Sequence, residues 1–128
     1  MKFMLIAYAN KSSEAGVPPE PKLMAAVGKL TEELSKAGVM VGTGGLAPTS
    51  LGAHIRLLEG KVTVTDGPFP ETKEVIGGYA IVDVKSKEEA IALAKRFFEI
   101  HAEIVGPSYV GEGEVRQMFD SPTECDKT

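Results

Sequence analysis

The side chains best suited to chemistry in this sequence gather between His54 and Tyr79. An imidazole can take up or release a proton near neutral pH, so His54 is suited by type to general acid or base work, and Arg56 two positions on can hold an anionic group in its planar fork. Asp66 opens an Asp-Gly-Pro turn, where it is a candidate general base or polar anchor. The same aspartate has a structural reading, since its side chain can accept from backbone amides one or two residues on. Glu71, Lys73 and Glu74 crowd the 70–75 loop. Loops at the mouth of a sheet carry ligand contacts, although clustered charges are more often simply solvated. Tyr79 follows Gly77-Gly78, a pair that forms a bulge or admits a close backbone approach, and it can offer its hydroxyl to a cleft. Asp66 and His54 are therefore the candidate catalytic residues, and Arg56, Glu71, Lys73 and Tyr79 the candidate ligand-binding residues.

Other chemistries are excluded by what the sequence lacks. His54 and His101 are its only histidines, with no carboxylate at ligand spacing, so no metal is expected. The ring of His101, at a helix end, suits the helix dipole and a structural role. No Gly-X-Ser-X-Gly or Cys/His pattern supports a covalent nucleophile. The run Gly42-Thr43-Gly44-Gly45 lacks the Gly-Lys-Ser/Thr ending of a phosphate loop, and no cofactor is expected. The one cysteine, Cys125, excludes an internal disulfide and suits a reducing cytoplasm. A formal net charge of −4 provides no basic field for nucleic acid. The opening ten residues lack the apolar core and cleavage site of a signal peptide, and no stretch is apolar enough to span a membrane.

The elements that must position these residues follow from periodicity. At 128 residues, 43% hydrophobic and 25% charged, the chain suits one domain, over 1–120, with a frayed tail over 121–128. Residues 2–9 and 76–84 are apolar on both alternating faces, as strands covered on both sides are. Residues 10–21 suit a loop. Leu23, Val27, Leu30, Leu34 and Ala37 make a helical stripe over 21–37, capped by Gly38. Gly28 interrupts that helix, for close packing or as a harmless surface glycine. A short strand over 39–41 precedes the glycine run as a flexible joint. Residues 53–59 and 61–66 form a hairpin about Glu59-Gly60, setting Leu58 opposite Lys61, Arg56 opposite Thr63 and His54 opposite Thr65. Its apolar face, with Ile55, Leu57, Val62 and Val64, belongs against helices. Ser86-Lys87-Glu88-Glu89 is a capping box for a helix burying Ala90, Leu93, Ala94, Phe97 and His101 and stopped by Gly106-Pro107. A last strand covers 114–119. Tyr8 suits the core or a barrel lining.

Allowing for the hairpin, this order is two strand-helix-strand units: an α+β, ferredoxin-like plan with an extra hairpin. Two helices cover only one sheet face. The double-sided strands then call for a second copy on the other, a sheet-to-sheet homodimer with the form of a dimeric α/β barrel.

The run Asp66-Gly67-Pro68-Phe69, then Glu71-Thr72-Lys73-Glu74 and Gly77-Gly78-Tyr79, resembles the DGPF-type branch of the YCII-related family. Lys2-Phe3-Met4-Leu5, Gly45-Leu46-Ala47-Pro48 and Gly113-Glu114-Val115-Arg116 agree with it, so the resemblance spans most of the chain. It implies a dimeric α/β barrel. It also implies enzymes using a His–Asp pair, or association with sigma-type transcription factors. The first helix holds no histidine, where that pair would place one. The expected function is binding or transformation of a small molecule in the barrel cleft by acid–base chemistry. The alternative is a non-catalytic interaction module that contacts a sigma-type partner through the 70–75 loop.

Overall fold

A computed structural model describes residues 1–69 and 74–120; Glu71, Lys73 and the 121–128 tail lie outside these. In chain order the elements are β1 (Lys2–Tyr8), a helical turn α1 (Lys11–Glu14), α2 (Pro21–Lys36), β2 (Met40–Gly45), a 3₁₀ turn (Thr49–Leu51), β3 (Ala53–Leu58), β4 (Lys61–Asp66), β5 (Ile76–Asp83), α3 (Lys87–Val105) and β6 (Gly113–Gln117). The double-sided strands β1 and β5 lie side by side at the centre of one antiparallel sheet of order β2-β5-β1-β6, while β3 and β4 form a sheet of their own. That order is the ferredoxin-like α+β fold with an extra hairpin.

Side-chain alternation divides the main sheet into two faces. Phe3 stands opposite Val82, and Leu5 opposite Ala80 and Val115. These residues meet α2 and α3 in a core of Phe3, Val82, Val84 and Ala90, joined by Leu5, Val39, Met40, Leu93 and Val115. Leu23 and Leu30 of the expected stripe are buried, and Gly38 takes the left-handed C-terminal position at φ 72°. At α3, Ser86 Oγ accepts from the Glu89 amide at 3.2 Å, and the Glu89 carboxylate reaches back to the Lys85 amide at 3.1 Å.

Several local expectations change. The glycine run is not a joint but the body of β2, bulged between Met40 and Gly42. Glycine suits this position because the Tyr79 ring lies over Gly44, where a Cβ would sit tightly against its hydroxyl at 3.2 Å. Gly77 is the residue the β1–β5 ladder skips, and a Cβ there would press on Ala9 Cα at 3.0 Å. Within the expected loop, Asn10 caps the turn α1 reciprocally with Ser13. Gly28 faces open space, so no close packing explains it. His101 is buried, its Nδ1 donating to the Phe97 carbonyl at 2.8 Å, and its ring lies 4.9 Å from that of Tyr109. Its role is structural through packing rather than through the helix dipole.

The hairpin has the expected register, with Glu59 and Gly60 both at positive φ. Its apolar face does not lie against helices. The helix-covered side of the main sheet is already filled by its own four strands, and every residue of β3 and β4 is exposed.

Candidate functional site

The open face of the sheet carries Met4, Ile6 and Tyr8 from β1, Tyr79 and Ile81 from β5, and Glu114 and Arg116 from β6, by the same alternation. Ile6 sits between Tyr79 and Glu114 in the two ladders and is 9% exposed. Over this apolar floor the Tyr8 hydroxyl donates to Glu114 Oε1 at 2.8 Å. Arg116 Nη2 donates to the other carboxylate oxygen at 2.7 Å. The pairing of β1 with β6 makes this possible. It sets Tyr8 diagonally across from Glu114 on one face, and Arg116 two residues along the same strand.

The electrostatics follow from that geometry. The hydrogen bond to Glu114 stabilises the protonated phenol. With partial burial and the further negative charge of Glu74, it pushes the Tyr8 pKa up to about 12. In turn the Tyr8 hydroxyl, and after it Arg116, hold the Glu114 carboxyl below the usual carboxylate range. At neutral pH the pair is a protonated phenol on an ionised carboxylate. The guanidinium of Arg116 makes no other hydrogen bond among the described residues, and its side chain is 71% exposed, which leaves donors free for an anionic or carbonyl group.

Beside this network lies an apolar cleft of about 490 Å³, lined by Leu46, Pro48, Leu51, Phe69, Val75 and Ile76 among others, with Glu74 its charged member. Ile76 pairs with Tyr8 across the ladder, so cleft and network adjoin. The cleft wall is held by Thr49, which is buried. Its amide and hydroxyl donate to the two Glu14 carboxylate oxygens at 2.6 and 2.5 Å, and its hydroxyl accepts from the Phe69 amide at 3.0 Å. These bonds hold the Glu14 carboxyl below its ordinary range.

The expected site residues are scattered around this arrangement. His54 lies on β3, edge-on to Phe69 with ring centroids 5.8 Å apart. Asp66 pairs with Ala53 and His54 with Thr65, which puts Asp66 and His54 on opposite faces of the ribbon. Among the described residues no hydrogen bond joins them. Arg56 shares the His54 face. Tyr79 lines the open sheet face with Tyr8. The Asp66 side chain takes no part in holding the Asp-Gly-Pro turn among the described residues. The Gly67 amide donates to the Gly52 carbonyl at 2.9 Å, and a Cβ on Gly67 would collide with the Thr49 carbonyl oxygen.

Tyr8, Glu114 and Arg116 are absent from the residues nominated by sequence. A signal for them exists: the ferredoxin-like order lays the last strand beside the first, and alternation then groups the three. Among the described residues no three His, Cys, Asp or Glu side chains are placed to hold a metal, and no helix is long and apolar enough to cross a membrane.

Comparison with known proteins agrees with the architecture. The YCII-related domain model matches residues 1–105, from β1 to the end of α3; β6, with Glu114 and Arg116, lies beyond that span. An uncharacterized protein of Rhizobium meliloti (strain 1021) is 29% identical over 97 residues, covering 74% of this chain and 78% of that protein. With its ferredoxin-like sheet and a family match over most of its length, the chain belongs to the YCII-related family.

Proposed function

We propose that this chain is a cytoplasmic YCII-related protein of the DGPF type that pairs sheet to sheet with a second copy. In the cleft of the resulting two-fold α/β barrel it binds or transforms a small molecule. The observation that supports this most directly is the Tyr8–Glu114–Arg116 network standing on an apolar sheet face. Ligand sites are mostly apolar surfaces with a few convergent polar groups, and this face has that composition. The apolar part of the ligand occupies the cleft of about 490 Å³, and its polar end meets Tyr8 and Arg116.

Acid–base chemistry is available in one direction. A ligand oxygen that displaces Glu114 as acceptor takes the phenol's hydrogen bond, and a proton lost by the ligand passes to the ionised Glu114 carboxylate. Arg116 compensates the charge left on the ligand. Tyr79 lines the same face. His54 packs against Phe69, which lines the cleft, with Asp66 at the ribbon root on the opposite face and Arg56 farther along the ribbon.

A metabolite-library thermal-shift screen tests the reading, because a ligand bound only by the folded state raises its apparent stability. At least one compound should stabilise the wild type, and Tyr8→Phe and Glu114→Gln should each lose most of that shift. A shift unchanged in both variants would exclude this network as the site.

A second reading is an interaction module for a sigma-type transcription factor. It draws support from the exposed apolar face of the β3–β4 ribbon. A pull-down that recovers only the chain itself counts against it.

A further inference from the structure

One face of the β3–β4 ribbon is almost wholly aliphatic. Ile55, Leu57, Val62 and Val64 are 68%, 70%, 64% and 64% exposed, with Ala53 and Asp66 at the root of the same face. A two-stranded ribbon standing alone in water is marginally stable at best. This one is nevertheless well specified. Glu59 and Gly60 take φ of 50° and 78°, the turn geometry that matches strand twist. Its root is fastened by the 2.9 Å Gly67–Gly52 bond and the contact of His54 with Phe69. It is an arm with a fixed root and an uncovered apolar face.

Surface area indicates what covers it. The chain exposes 9231 Å², where a folded monomer of its mass exposes ~6,600 Å². If the twelve residues outside the described set are allowed the full surface of an extended chain, an excess of roughly 1,000 Å² remains. That is close to the ~800 Å² each partner contributes to a stable interface. The four ribbon side chains, at on the order of 100 Å² apiece, supply about half of this. The open sheet face, with half-buried Met4, Tyr79 and Ile81, is a second apolar surface beside it. A foreign partner must match both surfaces at once. A two-fold related copy presents the same two in return, so one isologous contact covers all four.

We propose that the ribbon is an arm laid on a second copy of this chain, its Ile55, Leu57, Val62 and Val64 face buried in the same two-fold interface as the open sheet face. This rests on the two-fold barrel reading above and adds to it a second contact surface, distinct from the sheet.

Light scattering across a concentration series tests both and separates them. The full-length chain is compared with a Leu57→Asp/Val62→Asp double variant and with Thr63→Asp, on the ribbon's polar face, as control. The wild type and Thr63→Asp should be dimers, and the double variant should dissociate with a Kd raised at least ~100-fold. Hydrogen exchange of the 53–66 amides should slow in concentrated wild-type protein and quicken on dilution. A dimer that the double variant leaves intact, with ribbon amides indifferent to concentration, overturns the arm and spares the barrel. A wild-type chain monomeric at every concentration overturns both. The substituted side chains are exposed and outside the core, so all variants should keep wild-type circular dichroism.

Discussion

The open face of the four-stranded sheet and the β3–β4 ribbon both set polar groups beside aliphatic ones, but only the sheet face ties its polar groups together. There, a phenol, a carboxylate and a guanidinium drawn from the two ends of the chain share two short hydrogen bonds above Ile6. On the ribbon, the His54, Arg56, Lys61 and Asp66 side chains make no hydrogen bond among the described residues, and the one ring contact is that of His54 with Phe69. The sheet face is backed by a layer of helices that fixes its strands, so small differences in side-chain placement persist and can hold a ligand. Among the described residues no layer backs the ribbon, and every residue of β3 and β4 is exposed. A reactive residue type on an unsupported element is therefore weaker evidence of a site than an unremarkable tyrosine on a supported one.

The largest effects should separate the two regions by stability. Phe3 is 2% exposed at the centre of the helix-covered core, and Phe3→Ala should cost ~3–5 kcal/mol of unfolding free energy in denaturant titration. Leu57→Ala on the ribbon, measured in protein dilute enough to be monomeric, should stay within ~0.5 kcal/mol of wild type. A Leu57 loss as large as that of Phe3 would mean the ribbon packs on its own chain, and the contrast would collapse.

An intermediate effect belongs to the joint between the regions. At Gly67 a methyl group would be driven into the Thr49 carbonyl, and the Thr49 hydroxyl also accepts from the Phe69 amide and donates to Glu14. Gly67→Ala should destabilise by ~1–3 kcal/mol, the range for forced overpacking. It should also quicken hydrogen exchange at the Phe69 amide, which donates to Thr49. Unchanged exchange there would show the ribbon root to be independent of the cleft.

What was legible in the sequence divides along the same line. The Glu59-Gly60 turn, the Ser86 cap, Gly38 and the two helical stripes are local signals, each settled within a few residues by backbone geometry, and all were readable. The two double-sided strands were readable as strands too; that they are the central pair of the sheet is given by the strand order. Tyr8 and Glu114 are 106 residues apart in sequence. Their meeting depends on strand order, and a lone tyrosine on an apolar strand reads as core until that order is laid out. The β2 glycines mislead for a related reason. Glycine disfavours strands on its own account, and the Tyr79 ring that needs the space comes from a different strand. The ribbon's alternation was readable as well, but alternation gives two faces and not what either one meets.

The smallest expected effect is the most specific to the sheet face, because it reads one proton. The Tyr8 phenol has a folded pKa of about 12 against an ordinary 10.0. A group whose pKa is raised on folding stabilises the native state while protonated in both states. That contribution is complete below pH 10 and is lost as the pH climbs through 12. Glu114 runs the other way: its lowered pKa contributes above the ordinary carboxylate range and is lost as the pH falls through the folded value. Ultraviolet titration of phenolate formation isolates the first effect, as the difference between wild type and Tyr8→Phe. That difference curve should be centred near pH 12 in the wild type. In a Glu114→Gln background it should move toward 10, because the neutral amide no longer favours the protonated phenol by charge. Burial raises Tyr109 as well, but Tyr109 is common to both members of each pair and cancels. A Tyr8 component already centred near 10 in the wild type would mean that the phenol–carboxylate bond does not persist in solution. The sheet face would then be no better organised than the ribbon.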